Sequence, residues 1–224
     1  MATHLDGRTS AKDAAGVGDE IAAGLEADDE TVDLAAVWNA MVAQGDDIAA
    51  RVLAAARRTG RSRSRLTVID ARWDNTDSAF ARRTLDAANG RPKEAPHSTF
   101  YAKVPASKIN SFGVQREIDF GRDVVAILDR DPSAPLTTEW RPRWVADTDA
   151  LEQAATDRDK AVRDEVPLDV EERLYVEAFN LELDRLEGEL LKRFPGQPKR
   201  IAAFLAPTRR RSSKRKKSGD GEET

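Results

Sequence analysis

The stretch LTVIDARW, residues 66–73, decides the fold prediction because it is enriched in β-branched and aromatic side chains. Two further stretches, STFYAKV at 98–104 and DVVAILD at 123–129, share this composition and end near turn residues. The segment TEWRPRWV at 138–145 is expected to be extended as well, since its central proline biases the preceding residue away from helix. Together these segments predict a small domain rich in β-strands.

Helical patterns are expected on both sides of this β-rich central domain, which is placed at residues 66–145. On the N-terminal side, residues 31–60 are expected to be helical, either as two helices separated at Gly45 or as one helix kinked there, and to end at Gly60. Its apolar stripe at helical spacing consists of Leu34, Trp38, Met41, Ile48 and Val52. The predicted fold class is therefore α+β.

On the C-terminal side, residues 148–205 are predicted to be helical, with a break at Pro167. Their main feature is a long amphipathic helix over 169–194. Its apolar stripe consists of Tyr175, Phe179, Leu183, Leu186, Leu190 and Phe194. Two roles are open for this stripe: packing on the β-rich domain, or self-association of two copies through a helix pair.

The composition excludes several classes of protein. The chain has 224 residues and no cysteine, which rules out disulfides, thiolate nucleophiles and cysteine-ligated metal centres. The longest uninterrupted apolar run, IAAFLA at 201–206, is far shorter than the roughly 20 residues that a membrane span needs. No membrane partner is expected, and the cytoplasm is the expected location.

Charge is segregated along the chain, although the net charge is only −4. Residues 1–30 carry eight acidic and two basic side chains and are predicted to be a disordered acidic arm. Residues 208–224 carry seven basic and three acidic side chains and are predicted to be a disordered basic tail. The candidate nucleic-acid contacts in the tail are Arg209, Arg210, Arg211, Lys214, Arg215, Lys216 and Lys217.

A second basic run, RRTGRSRSR at 57–65, contains five arginines and no acidic residue. Arg61, Arg63 and Arg65 are candidate contacts to nucleic-acid phosphates. Such contacts are electrostatic, independent of sequence and sensitive to salt. The alternative partner for the basic segments is an acidic protein surface, and the alternative role for the tail is a solvated end.

Evidence for catalysis is weak, and the protein is expected to be no enzyme and to need no cofactor. No phosphate-binding loop, dinucleotide fingerprint or zinc-protease motif is present. His97 is the one candidate general base near a predicted strand, and a surface or packing role is the alternative.

The enzymatic alternative is a Mg²⁺-dependent nuclease that uses Asp70, Asp129 and Asp131. These carboxylates follow predicted strands, where they would converge on a metal ion. The Asp-x-Asp loosely resembles the metal-binding turn of toprim-type nucleases, although Ala71 follows Asp70 where that family has glycine after glutamate. Because turns also favour aspartate, no metal site is predicted.

Trp140 and Trp144 alternate with arginines in the segment EWRPRWV. If they are exposed, the two indole rings are candidates for binding a partner protein or stacking on bases. If they are buried, they belong to the core.

The leading hypothesis is a non-catalytic intracellular accessory or assembly protein that contacts nucleic acid weakly through its basic segments. The first alternative is a phage structural or assembly protein of the virion, tail or head, and the second is the Mg²⁺-dependent nuclease.

Overall fold

The computed structural model describes residues 2–109 and 111–209, and every regular element within these ranges is a helix. The helices are α1 (Ala11–Glu26), α2 (Val32–Ala87), α3 (His97–Tyr101), α4 (Ala106–Ile109), α5 (Val114–Leu128), α6 (Pro135–Arg193) and α7 (Pro198–Phe204). The prediction of an α+β fold with a β-rich central domain is therefore wrong, because no strand occurs among the described residues.

The stretch at 66–73 lies inside α2, where helical spacing of its large side chains prevails over β-propensity. Leu66, Ile69 and Trp73 point to one face and pack in a hydrophobic core, while Val68 is 70% exposed. A strand would have placed Val68 with Leu66 on one face. The stripe continues to Phe80, so burial over several turns determines the conformation.

The segment at 138–145 is also helical, because α6 runs through both Pro142 and Pro167. Proline inside a helix removes one backbone hydrogen bond and disfavours the conformation locally. Near Pro142 this cost is offset by Trp140 and Trp144, which lie one turn apart and are both buried. The predicted break at Pro167 is wrong.

Contacts divide the chain into two compact units, of which the first comprises residues 1–56 and 164–224. Its described core contains residues of α1, the first part of α2, the last part of α6, and α7. Every residue of the stripe predicted over 169–194 is buried in this core, so the helical pattern is confirmed. The stripe packs on helices and not on a sheet.

The N-terminal segment is ordered around α1, so the prediction of disorder throughout residues 1–30 is wrong. Ser10 caps α1 by accepting a hydrogen bond from the backbone N–H of Asp13 at 3.1 Å. Ile21 and Leu25 are fully buried, together with a row of alanines on the same face. The small size of those alanines hid the apolar face in the sequence.

Gly45 lies within the continuous helix α2 and does not interrupt it. A Cβ atom added at Gly45 would lie 2.7 Å from Cζ of Tyr175 and 2.9 Å from Cβ of Ala15. The Tyr175 hydroxyl also donates a hydrogen bond to the Met41 carbonyl at 2.9 Å. Glycine here permits close packing of three helices.

Gly45→Ala should therefore lower the free energy of unfolding by roughly 1–3 kcal/mol, because the overpacking outweighs the better helix propensity of alanine. Gly60→Ala is the matched control, since Gly60 lies in the same helix with no neighbouring atom within 4 Å of an added Cβ. It should stabilise the protein by up to about 1 kcal/mol. Urea unfolding measures both changes, and equal effects of the two substitutions would contradict this packing.

The second unit comprises residues 57–163. It contains the later part of α2, the helices α3 to α5 and the first part of α6. Within it α2 and α6 run antiparallel, since Thr59 contacts Ala161 and Trp73 contacts Thr148. Its core is aromatic, and the rings of Trp73 and Trp144 meet edge to face with centroids 5.4 Å apart.

None of the helices within residues 2–109 and 111–209 has a stretch that is both long and apolar enough to cross a membrane.

Candidate functional site

The basic run at 57–65 lies on α2, where it forms a surface that we call the arginine band: Arg57, Arg58, Arg61, Arg63 and Arg65. All five arginines are exposed. Arginine is a good helix former, and the helix remains regular despite Gly60. Ser62 and Ser64 donate their hydroxyl hydrogens to backbone carbonyls three and four residues earlier, at 2.9 and 3.1 Å.

Helical geometry determines which arginines share a face. Arg57, Arg58, Arg61 and Arg65 lie within about 100° of the helix circumference, whereas Arg63 lies on the other side of the helix, nearer to Thr59. Thr59 lies on the opposite face of α2, where it is buried and its hydroxyl donates to the Ala161 carbonyl of α6. The band is therefore attached to the fold through the inner face of α2.

The arginines of the band differ in their ion pairs. Arg65 pairs with Asp157 of α6 at 3.3 Å. By contrast, Arg57, Arg61 and Arg63 form no ion pair with any residue within 2–109 and 111–209. These three charges are available to an external anion without first breaking an internal salt bridge.

Most of the basic tail falls outside the described residues. Arg209 is exposed, whereas Arg210, Arg211, Lys214, Arg215, Lys216 and Lys217 lie beyond the described range. Thr208 is buried, donates to the Leu205 carbonyl at 2.8 Å and accepts from the backbone N–H of Thr3 at 3.3 Å. Residue 208 thus belongs to the folded part of the chain.

The three aspartates of the nuclease hypothesis have different surroundings. Asp129 follows α5 and pairs with Arg141, which holds the pKa of its carboxyl below the usual range. Asp131 accepts a hydrogen bond from Ser133 at 2.8 Å. Asp70 lies inside α2 and not at a strand end. No group of three or more acidic or histidine side chains among the described residues is placed to hold a metal ion.

The other candidate residues are core residues. Trp140 and Trp144 are buried, so the structure does not present them as a partner-binding surface. His97 is buried as well, stacks on Tyr101 with ring centroids 4.8 Å apart, and has its Nδ1 atom 2.9 Å from the Thr84 hydroxyl. That hydroxyl also donates to the Ala81 carbonyl at 2.9 Å.

A group of two half-buried and two buried carboxyl side chains went unrecognised in the sequence. Asp70, Asp74 and Asp77 occupy positions i, i+4 and i+7 of α2, and Glu117 of α5 interacts with all three. We call these four residues the carboxyl cluster. The spacing on α2 was visible, but the assignment of residues 66–73 to a strand concealed it.

Burial and mutual repulsion raise the pKa values of Asp74, Asp77 and Glu117. Burial, followed by the contact with Asp70 and the charges of the other aspartates, raises the pKa of Glu117 to about 8. Burial raises the pKa of Asp77 to about 6, although the Tyr101 hydroxyl donates to it at 2.9 Å. Burial and the neighbouring Asp70 also raise the pKa of Asp74.

No protein-family model, curated protein or solved structure gives a significant match to this chain.

Proposed function

We propose that this chain is a non-catalytic cytoplasmic accessory or assembly protein that binds nucleic-acid backbones weakly and without sequence preference. The observation that carries the proposal is the arginine band on α2, with three exposed arginines that have no ion-pair partner among the described residues. The absence of cysteine in the whole chain is consistent with the cytoplasm.

The spacing of the band suits a row of phosphates. Arg57 and Arg65 are eight residues apart on α2, which corresponds to about 12 Å along the helix axis. One strand of duplex DNA presents a phosphate about every 3.4 Å along its axis, so roughly three or four phosphates lie within that span. Each guanidinium group can donate two parallel hydrogen bonds to a phosphate.

The chemistry of the band favours the sugar-phosphate backbone over the base edges. No tryptophan, tyrosine or phenylalanine occurs within residues 57–65, so base stacking has no platform there. Binding should depend on the number of phosphates and on salt, and not on base sequence. We expect a dissociation constant of about 10⁻⁴–10⁻⁶ M at physiological salt.

Truncation after Arg209 separates the band from the basic tail while retaining the buried Thr208. We expect the truncated protein to bind two duplexes of unrelated sequence with equal affinity, and to lose that affinity as salt rises. Fluorescence anisotropy of labelled duplexes, with full-length protein in parallel, measures this. The full-length protein should bind more tightly if the tail adds phosphate contacts.

Two results would contradict the proposal. If the truncated protein bound neither duplex at low salt, the band would not be a binding surface. If polyglutamate displaced the duplex at a concentration of charge far below that of competing unlabelled DNA, an acidic protein surface would be the better partner.

A further inference from the structure

The carboxyl cluster lies in the second unit and plays no part in the proposed binding surface. Asp77 and Glu117 are its most buried members, with 1% and 2% of their surface exposed. Four of its carboxyl oxygens are buried and receive no hydrogen bond: Asp70 Oδ1, Asp74 Oδ1, Asp77 Oδ2 and Glu117 Oε2. Buried carboxylates without donors are strongly disfavoured, so the cluster needs a positive partner.

The surrounding helices supply no such partner among the described residues. On α2, Arg72 pairs with Asp147 of α6 at 2.9 Å, and the Asp147 carboxylate also accepts from Thr76. On α3, the Tyr101 hydroxyl donates to Asp77, while His97 is engaged with Thr84. No described lysine, arginine or histidine forms an ion pair with Asp70, Asp74, Asp77 or Glu117.

A proton satisfies this requirement within the observed geometry. Asp70 and Glu117 interact, and each has a buried carboxyl oxygen that receives no hydrogen bond, so a proton on one of the two groups would supply the missing donor. The protonated Glu117 O–H then donates to the Asp70 carboxylate. We infer that the Glu117–Asp70 pair is a proton-binding site that joins α5 to α2, and that loss of its proton in mildly alkaline solution loosens this unit.

The sign of the pH effect follows from the pKa of Glu117, which folding raises from 4.5 to about 8. The folded protein therefore binds one more proton than the unfolded chain between these values. The stabilisation is complete below about pH 4.5 and is lost as pH rises through about 8. Within that window the folding equilibrium constant falls up to about tenfold per pH unit on account of this group.

Glu117→Gln tests the inference, because the glutamine amide can still donate to Asp70 but cannot lose a proton. The ratio of the wild-type to the variant folding constant should fall about tenfold per pH unit from about pH 5 to 8 and then level off. Urea unfolding at a series of pH values measures this ratio. A constant ratio across that range would overturn the inference.

Asp123→Asn is the matched control, since Asp123 is exposed on the same helix. Its pH profile should run parallel to that of the wild type. Asp70→Asn should move the alkaline end of the sloping range to lower pH, because it removes the contact and charge that help hold the proton on Glu117, while burial still acts. An Asp70→Asn profile that levels off at the same pH as the wild type would mean that the pair is not the site.

Infrared spectroscopy gives a readout that does not depend on unfolding. The folded wild-type protein at pH 7 should show the carbonyl band of a protonated carboxylic acid, and Glu117→Gln should lack it. Absence of the band from the wild type would overturn the inference.

Addition of Mg²⁺, Ca²⁺ or Mn²⁺ tests whether a metal ion occupies the cluster instead of a proton. We expect none of these ions to shift the unfolding midpoint at pH 7. If one of them stabilised the wild type and Glu117→Gln abolished that effect, a metal, and not a proton, would occupy the cluster.

Discussion

Trp144→Ala should lower the free energy of unfolding by about 3–5 kcal/mol, as expected for a fully buried aromatic side chain. Trp144 has no exposed surface, and its ring lies 5.4 Å from Trp73, 5.6 Å from Phe80 and 6.2 Å from Phe120, centroid to centroid. The substitution removes edge-to-face contacts with all three rings and leaves a cavity between α2, α5 and α6.

Val68→Ala is the control, because Val68 lies on the same stretch of α2 as Trp73 but is 70% exposed. It should change stability by less than about 0.5 kcal/mol. Urea unfolding followed by far-ultraviolet circular dichroism measures both variants. A Trp144→Ala protein as stable as the wild type would mean that Trp144 is not buried in the core, and a costly Val68→Ala would mean that the Val68 face is buried.

In the first unit, spacing alone allowed the helical segments within α2 and α6 to be predicted, but not α1. Leu34, Trp38 and Met41 of α2 and the apolar residues from Tyr175 to Phe194 recur every three or four positions, and they pack in one core. These residues are large, so each one marks the buried face without ambiguity. In α1 the same face is made mostly of alanine, and composition then indicated disorder instead of packing.

In the second unit, local preference and long-range packing disagree. The run VVAIL in α5 suits a strand by composition, yet Val124 and Leu128 are buried one turn apart as helix neighbours. Residues 66–73 follow the same rule. A short β-branched run does not show whether its apolar side chains follow the repeat of a strand or that of a helix. The helix is favoured by buried residues a further two turns away, such as Phe80.

The candidate sites depended on the fold to different degrees. The arginine band could be identified from composition, since five arginines without an acidic residue are exposed in a helix as well as in a loop. Only the structure shows that Arg65 is paired and that Arg57 and Arg61 share a face. The carboxyl cluster could not be identified, because Glu117 is 40 residues or more from its partners and meets them through packing of α5 on α2.

The second large effect is expected from neutralising the band. The variant Arg57→Gln, Arg61→Gln, Arg63→Gln should bind duplex DNA about 10²–10³-fold more weakly than the wild type at roughly 50 mM salt, if each arginine meets one phosphate. The three side chains are exposed and form no ion pair with a described residue, so the fold should be unaffected. Fluorescence anisotropy measures the affinity, and circular dichroism checks the helix content.

The matched control removes three equally exposed positive charges that lie apart from the band: Lys103→Gln, Arg173→Gln, Lys199→Gln. Both triple variants have the same net charge. If binding reflected only overall charge, the two variants would lose affinity equally. We expect the control to retain most of the wild-type affinity, because dispersed charges do not follow a row of phosphates.

The dependence of affinity on salt tests the arginine band most directly, because it counts the phosphate contacts that each protein makes. For the wild type and the two triple variants, the logarithm of the association constant is plotted against the logarithm of salt concentration. The account predicts that the slope for the band variant is shallower than the wild-type slope by about 2–3 units, and that the control follows the wild type. Equal slopes for the wild type and the band variant would contradict it.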